Sequence, residues 1–272
     1  MSNLLISKNL QAQMKQSILI SFLIVMFNFP LQAKEYAGGW ELWYPYQYHN
    51  KQSQLVGVDI EAFTAIMNTA NVQYTLAELP WKTHLHFVKT GKVDMAMGAS
   101  WSEERCEYAY FSLPYRIETV NLFVKKGQRD NIKLDTLKDL ENSPYIIGVE
   151  SGYFYGDEYA ELIKRPKFYS NISEVIDIED NIKLLMSGHL NGFLADPNTV
   201  NAFIKKYRME GEFEKHDVEI YSDDIYIMLS KKSTETKLLN KINQAIVTLT
   251  QQGKLQPSKK TPNKAITECN IR

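Results

Sequence analysis

The stretch that decides the fold is MAMGASWSEERCEYAYFSLPY, residues 95–115. The apolar run VDMAM, residues 93–97, predicts a buried strand that ends at Gly98, where small and hydroxyl residues follow. Two glutamates then precede a lone arginine, Arg105, which is followed directly by Cys106. Ligands of open α/β sheets bind beyond the carboxyl ends of strands. An arginine just past a strand end is therefore a candidate ligand-binding residue.

Strands and helices alternate along the chain on both sides of this stretch. Short apolar or alternating runs predict strands at residues 72–79, 93–97, 118–127, 145–149, 192–196 and 224–232. Apolar residues at helical spacing predict helices at residues 60–70, 82–91, 134–140, 156–164, 178–188, 198–207 and 237–253. Asp59 is expected to cap the first helix, and Gly91 to end the second. This alternation predicts an α/β fold with a largely parallel sheet.

One pattern occurs twice. TGKVDMAM, residues 90–97, resembles SGHLNGFL, residues 187–194, because each contains a helix end, a glycine, a turn and a strand. Two similar α/β lobes would produce this repeat, although a helix–glycine–strand joint is common and the match can arise by chance. The first strand ends at Gly98 and Ser100, and the second ends at Asp196. Two facing lobes would bring both strand ends into one cleft.

Composition narrows the class of protein. The chain has 272 residues, of which 44% are hydrophobic and 23% charged, as in globular proteins. Its formal net charge of −1 gives no electrostatic case for nucleic-acid binding. His84 and His86 lie two apart on a predicted helix and face different sides, so no metal site is expected. No cofactor motif is found, and phosphate loops and nucleophile elbows are missing from the sequence.

Residues 1–33 are predicted to be a signal peptide. Lys15 precedes an apolar run at residues 18–29, and Ala33 provides a small residue for cleavage. An uncleaved anchor is the alternative, although the run is short for a membrane span. A second methionine, Met14, leaves open that residues 1–13 are an untranslated upstream extension. We therefore expect a mature, soluble protein that is exported, and the family resemblance described next implies the periplasm as its location.

In this order and at this spacing, several motifs resemble the bacterial periplasmic solute-binding proteins of the polar amino-acid type, family 3. The resemblance covers nearly all of residues 37–253. Its motifs are WYPYQY followed by GVDIEAF, then PWKTHLHFVKTGKVD, then GASWSEER with YFSLPY, and finally FLAD. The family implies the type II periplasmic-binding fold, in which two α/β lobes are joined by two crossing strands and close on a small ligand. Lobe 1 would comprise residues 34–122 and 226–272, and lobe 2 residues 123–225.

The resemblance also implies the ligand-binding residues. Arg105 closes the motif Ser-x-x-Arg, whose arginine holds the α-carboxylate of the ligand in this family. Gly98 and Ser100 match the preceding Gly-x-Ser, and Asp196 matches the aspartate that binds the α-ammonium group. The two aromatic positions that wall the pocket in relatives fall on Trp43 and Trp81. A guanidinium suits the first role because its planar fork matches a carboxylate bidentately.

The chain departs from the family pattern at Tyr153, where relatives have a small hydroxyl residue. Its phenol is expected either to contact the ligand or to fill space that a larger ligand would need. Glu41 is a second departure, since an acid near the pocket would favour a cationic ligand.

Simpler interpretations exist for the same residues. Arg105 could form a surface ion pair, and Trp43 could belong to the core. Asp196 could cap the helix that follows it, which is compatible with ligand binding. Cys106 and Cys269 are expected to form a disulfide in an oxidising compartment, and two unrelated buried thiols are the alternative. In the implied fold this bridge would hold the lysine- and proline-rich tail on lobe 1 without blocking closure.

The expected function is a monomeric, non-catalytic receptor that closes on an amino acid or similar zwitterion and delivers it to an inner-membrane ABC permease. One alternative is a sensory protein that docks on a membrane signalling protein. Another is a periplasmic dehydratase on the same fold, with Glu41 or Glu150 as the candidate acid or base. The motifs do not determine which amino acid would bind.

Overall fold

The structure is a computed structural model that describes residues 34–255 and 264–271. The predicted signal peptide, residues 1–33, lies outside these described residues, as does most of the lysine- and proline-rich tail. Within them, no helix has the length and apolar character needed to cross a membrane.

One mixed sheet organises the described part of the chain. Its strands are β1 (Glu35–Trp40), β4 (Gln73–Glu78), β5 (Met95–Ser100), β6 (Ala109–Phe111), β7 (Arg116–Lys125), β8 (Ile147–Glu150), β9 (Ile172–Val175), β10 (Gly192–Ala195) and β11 (Phe213–Ser230). They run in the order β4-β1-β5-β11-β7-β10-β8-β9, and β6 pairs with β11. The pairs β1–β4, β1–β5, β8–β9 and β8–β10 are parallel. A separate antiparallel pair joins β2 (Tyr48–His49) to β3 (Leu55–Val56).

Helices flank the sheet and follow most of its strands. They are α1 (Val58–Ala70), α2 (Trp81–Thr90), α3 (Glu103–Cys106), α4 (Asp157–Leu162), α5 (Pro166–Tyr169), α6 (Ile178–Met186), α7 (Pro197–Tyr207), α8 (Thr236–Gln251) and α9 (Lys264–Ile271). Two 3₁₀ helices occupy Arg129–Asn131 and Leu137–Asn142, the second where a short α-helix was predicted. Gly91 ends α2 in the left-handed conformation, as predicted. The alternation of strands and helices confirms the predicted α/β class. The expectation of a largely parallel sheet is wrong, because β7 and β11 make four antiparallel pairs beside the four parallel ones.

Two long strands, β7 and β11, connect the two halves of the sheet. Residues 225–229 of β11 pair with β5 in one half, and residues 121–124 of β7 pair with β10 in the other. Between these regions β7 and β11 pair with each other. The apolar core divides in the same way, with one cluster around Phe63 and Ile227 and another around Leu122 and Phe168.

The strand β11 is longer than its sequence pattern predicts. The apolar run predicted only residues 224–232, whereas the strand begins at Phe213. Its first part is rich in charged residues and alternates between buried and exposed positions beside β7. Pairing with β7 therefore decides the conformation there, because local apolar periodicity is weak.

Asp59 does not cap the first helix, so that prediction is wrong. The helix α1 begins at Val58, and Gly57 is the N-cap residue with φ +130°. A side chain at Gly57 would collide with the backbone of Tyr46. Asp59 lies inside the first turn, is fully buried, and accepts hydrogen bonds from Arg116 at 2.6 and 3.0 Å. A long-range ion pair has replaced the expected local cap.

The disulfide between Cys106 and Cys269 is present, which confirms the predicted pairing. The chain reaches it through α9, a helix that the sequence analysis did not predict. Ile266 and Cys269 lie three residues apart on one buried face of this helix. The side chain of Asn270 both donates to and accepts from the backbone of Phe111, at 2.8 Å each, and so covers the edge of β6.

Candidate functional site

The carboxyl ends of three strands meet around two neighbouring cavities. The arginine cavity contains the end of β5 and is lined by Glu41, Trp43, Gln47, Trp81, Gly98, Ser100, Arg105, Glu118, Tyr153 and Phe154. The aspartate cavity contains the ends of β8 and β10 and is lined by Trp43, Glu118, Val120, Glu150, Tyr153, Phe154, Tyr155, Leu194, Ala195, Asp196 and Thr199. The two cavities share four lining residues, Trp43, Glu118, Tyr153 and Phe154. All seven predicted ligand-binding residues therefore line one or both cavities.

Both cavities are small. Their volumes are about 20 Å³ and about 10 Å³, and a cavity of this size holds about one water molecule. Two hydrogen bonds join residues that line this space, and in the first Trp43 Nε1 donates to Thr199 Oγ1 at 3.1 Å. Tyr153 Oη donates to Glu41 Oε1 at 2.6 Å across the same space. A ligand would enter only after these walls separate.

Arg105 is held at the end of β5 by the short helix α3. Ser102 caps this helix and accepts a hydrogen bond from the Arg105 N–H at 3.2 Å. The guanidinium donates to the Ser100 carbonyl at 2.8 Å and to the Gly152 carbonyl at 3.2 Å, and it lies over the Trp81 ring. It is buried, and burial lowers its pKa. No ion pair to its guanidinium is found among the described residues, so three of its five N–H donors are free for an anion.

Gly98 and Ser100 form the strand end beside this arginine. Gly98 has φ +74°, and an added Cβ would lie 3.0 Å from Gln47 and 3.3 Å from the Trp43 ring. Glycine therefore lets the backbone approach the cavity wall closely. Ser100 is buried, and its carbonyl accepts from Arg105.

Asp196 lies opposite, between β10 and α7. Its Oδ1 atom accepts the N–H groups of Asn198 at 2.8 Å and of Thr199 at 3.2 Å, so it caps α7, the simpler role that the sequence left open. The same atom accepts the Tyr46 hydroxyl at 2.9 Å. Within the described part of the chain no hydrogen bond to Oδ2 is found. One carboxylate oxygen therefore organises the helix and Tyr46, and the other can accept from a ligand.

Aromatic rings complete the walls. The Tyr153 ring lies 5.9 Å from Trp43 and 6.4 Å from Trp81, centre to centre. Trp43 and Trp81 are buried, while Tyr153 and Phe154 are half-buried. Such rings can pack on apolar carbons or on a cation.

Three glutamates, Glu41, Glu118 and Glu150, line the two cavities in addition to Asp196. Burial raises the pKa of Glu41 to about 7, although Tyr153 and the backbone N–H of Trp81 donate to it. Burial also raises the pKa of Glu118 to about 7 and that of Glu150 to about 8. Glu118 was missed as a site residue. Strand alternation could have identified Glu118. Along RIETVNLFVK the buried positions alternate, and Arg116, Glu118 and Val120 share one face of the strand.

A buried ion pair between Arg116 and Asp59 holds residues that line the arginine cavity. Arg116 lies over the Tyr46 ring at 4.1 Å and the Trp43 ring at 5.0 Å, and pairs with Asp59. Asp59 also accepts the Tyr115 hydroxyl at 2.8 Å, and Tyr115 in turn accepts the Gly98 N–H at 2.9 Å. These contacts position Trp43, Tyr46 and Gly98 around the cavity.

The raised pKa values predict a pH-dependent stability. In the folded protein Glu41, Glu118 and Glu150 keep their protons to about pH 7 or 8, whereas their usual pKa is 4.5. The folded state therefore binds more protons in this window, and the unfolding free energy falls as the pH rises through it. Urea unfolding at about pH 5 and pH 8 measures this change. Between these two pH values the unfolding free energy should fall less in Glu118→Gln than in the unsubstituted protein. Equal losses in the two proteins would contradict the role assigned to Glu118.

Comparison with known proteins places these features in a family. The model of the bacterial extracellular solute-binding proteins, family 3, matches residues 38–261. The L-cystine-binding protein TcyJ of Escherichia coli (strain K12) is 23% identical over 213 residues, which cover 78% of this chain and 76% of that protein.

Solved structures share the fold. A histidine kinase sensor domain with similarity to periplasmic binding proteins has a TM-score of 0.69 and 19% identity, covering 82% of this chain and 92% of its own. An ancestral arginine-binding protein bound to arginine has a TM-score of 0.68 and 23% identity, and the match covers 81% of this chain and 94% of that protein. These likenesses confirm the predicted two-lobed, type II periplasmic-binding fold. With the family match over most of its length, the chain belongs to the bacterial extracellular solute-binding proteins, family 3.

Proposed function

We propose that this protein is a non-catalytic receptor that closes on an amino acid. The observation that carries the proposal is the buried Arg105 guanidinium, which has no carboxylate partner in the described residues and lines a cavity at a strand end. Cystine binding in one relative and arginine binding in a structural neighbour, as their names state, support an amino acid as the ligand class. The family consists of solute-binding proteins, which argues against the dehydratase alternative.

The ligand's α-carboxylate would bind Arg105, beside Gly98 and Ser100. The free Oδ2 atom of Asp196 would accept its α-ammonium group. Trp43 and Trp81 would pack on its carbon atoms. A charge-assisted, bidentate contact at Arg105 would give most of the binding energy and set the orientation of the ligand.

Binding would require the two lobes to separate and close again. We take residues 34–122 with 226–272 as lobe 1 and residues 123–225 as lobe 2. The division of the apolar core supports two lobes, with Val120 and Leu122 packing in the lobe 2 cluster and Ile225 in the lobe 1 cluster. The strands β7 and β11 would act as the hinge. Opening would break the contact of Trp43 with Thr199 and that of Tyr46 with Asp196.

The same proposal includes export to the periplasm through the signal peptide at residues 1–33. There the protein would act as a monomer and deliver its ligand to an ABC permease. The histidine kinase sensor domain of similar structure favours a second candidate, in which the closed form is read by a signalling protein. Deleting the gene separates the two. Loss of amino-acid uptake would support transport, whereas loss of an amino-acid-induced transcriptional response with normal uptake would support sensing.

A thermal-shift screen against the twenty amino acids tests ligand binding itself. A ligand at a hundred times its dissociation constant stabilises the folded state by about 2.7 kcal/mol. For a domain of this size we expect the midpoint to rise by roughly 5–10 °C with at least one amino acid. The same concentrations of matched carboxylic acids without an amino group serve as the control. If no amino acid raises the midpoint, the proposal is wrong.

A further inference from the structure

We propose that the ligand carries a second cationic group, and that Glu118 and Glu150 bind it beside the aspartate cavity. This inference rests on the proposed function and names its ligand class: amino acids with an ammonium or guanidinium side chain.

Glu118 is the central observation. Its side chain points inward from β7, is only 6% exposed, and lines both cavities. Among the described residues its carboxylate accepts no hydrogen bond and forms no ion pair. Buried charged groups in proteins are normally paired. Glu118 is therefore a buried acid directed into the ligand space and without a partner of its own.

The neighbouring cations attract Glu118 but form no hydrogen bond with it. Arg116, on the same face of β7, donates from Nε and one Nη atom to Asp59, and its other Nη atom has no hydrogen-bond partner among the described residues. Arg105 is directed at the Ser100 and Gly152 carbonyls and is the expected carboxylate site. The other charged groups that act on Glu118 are the acids Asp59 and Asp196. The surroundings of Glu118 are therefore short of one positive charge.

Glu150 lies at the end of β8 and lines the aspartate cavity. Its carboxylate has no hydrogen bond in the described residues, and the charged groups that act on it are Glu41, Glu118 and Asp177. All three are acids. Together Glu118 and Glu150 supply two carboxyl groups in addition to Asp196, and one α-ammonium group can neutralise only one of the three.

The aromatic walls of the aspartate cavity could contact a cation that binds these carboxyl groups. Trp43, Phe154 and Tyr155 line the aspartate cavity together with Glu118 and Glu150. Aromatic faces attract ammonium and guanidinium groups, most strongly where water is excluded. A neutral side chain would offer these carboxyls no counter-charge, and their raised pKa values would keep them largely protonated near neutral pH.

Binding of such a ligand would release protons. Burial holds the pKa of Glu118 at about 7 and that of Glu150 at about 8, so both are partly protonated near neutral pH. A cation favours their ionised forms. The affinity for a cationic amino acid should therefore rise between about pH 6 and pH 8.5, while that for a neutral one should change little.

Calorimetric titration of the full chain with two pairs of ligands matched in size tests the inference. Arginine is compared with citrulline, and lysine with 2-aminoheptanoic acid, at about pH 8. We expect each cation to bind at least tenfold more tightly than its neutral partner. Glu118→Gln should reduce this ratio tenfold or more, and Glu150→Gln should reduce it less because Glu150 is the more exposed. Glu158→Gln, an exposed acid on α4, is the control and should leave the ratio unchanged.

The outcomes separate the two proposals. If the neutral amino acids bind as tightly as the cations, or if Glu118→Gln keeps the ratio, the second-cation site is wrong while the amino-acid receptor stands. If none of the four ligands binds and the wider thermal-shift screen also finds no amino acid, both proposals are wrong. A preference for cations that is lost in Glu118→Gln supports the site.

Discussion

Replacing Arg105 by methionine is expected to weaken amino-acid binding by about 2–5 kcal/mol, roughly 30-fold to several thousand-fold. Methionine fills similar space but has no donors, so the ligand's carboxylate would be buried without a partner. Arg105→Lys should bind with an intermediate affinity because lysine keeps the charge but lacks the planar fork. Calorimetric titration with whichever amino acid binds the unsubstituted protein measures the effect.

A matched control distinguishes loss of the contact from loss of positive charge. Arg165 is exposed, pairs with Glu141 at 3.3 Å, and lines neither cavity. Arg165→Met should leave the affinity unchanged. Because Arg105 also donates to two carbonyls, the melting temperature of each variant must be recorded. A folded Arg105→Met protein whose affinity lies within threefold of the original would refute the role assigned to this residue.

Asp59→Asn is expected to lower the unfolding free energy by about 3–5 kcal/mol. The change leaves the buried Arg116 guanidinium without its counter-charge, since Arg116 is 7% exposed and Asp59 is fully buried. For a domain of this size the melting temperature should fall by roughly 6–20 °C. Urea unfolding followed by circular dichroism measures the loss directly.

Glu61→Gln provides the control for this prediction. Glu61 lies on the same helix, α1, and is exposed, so the same acid-to-amide change should alter stability by less than about 0.5 kcal/mol. The double variant Asp59→Asn with Arg116→Met should recover part of the lost stability, because it removes the unpaired cation. Equal stability of Asp59→Asn and Glu61→Gln would show that the ion pair is not a major support of the fold.

Much of the site could be predicted because its signals are local. The end of β5, the Ser102 cap and Arg105 lie within one short stretch, and Asp196 directly follows an apolar strand. The two cysteines required only the expectation of an oxidising compartment. Each of these features follows from residue types a few positions apart and from a family resemblance that depends on such motifs.

Other features depend on contacts between distant residues. Asp59 has the sequence position of a helix cap, and it becomes half of an ion pair only because Arg116 reaches it from β7. Glu41 and Tyr153 are separated by 112 positions and meet by a hydrogen bond across the ligand space. Glu118 belongs to a strand whose buried and exposed positions alternate. The alternation indicates that its side chain is buried, but it does not indicate which residues of other strands and loops surround it.

Local features of the sequence were enough to predict the α/β class, most strands and helices, the family, the disulfide partners and the residues gathered at the strand ends. Short-range periodicity, capping and spacing encode all of these. Which charges pair follows from the tertiary structure, because pairing depends on distances between strands that are remote in sequence. Arg116 forms a direct ion pair with Asp59, whereas the carboxyl of Glu118 has no ion pair or hydrogen bond among the described residues, and this difference is the basis for the ligand class proposed here.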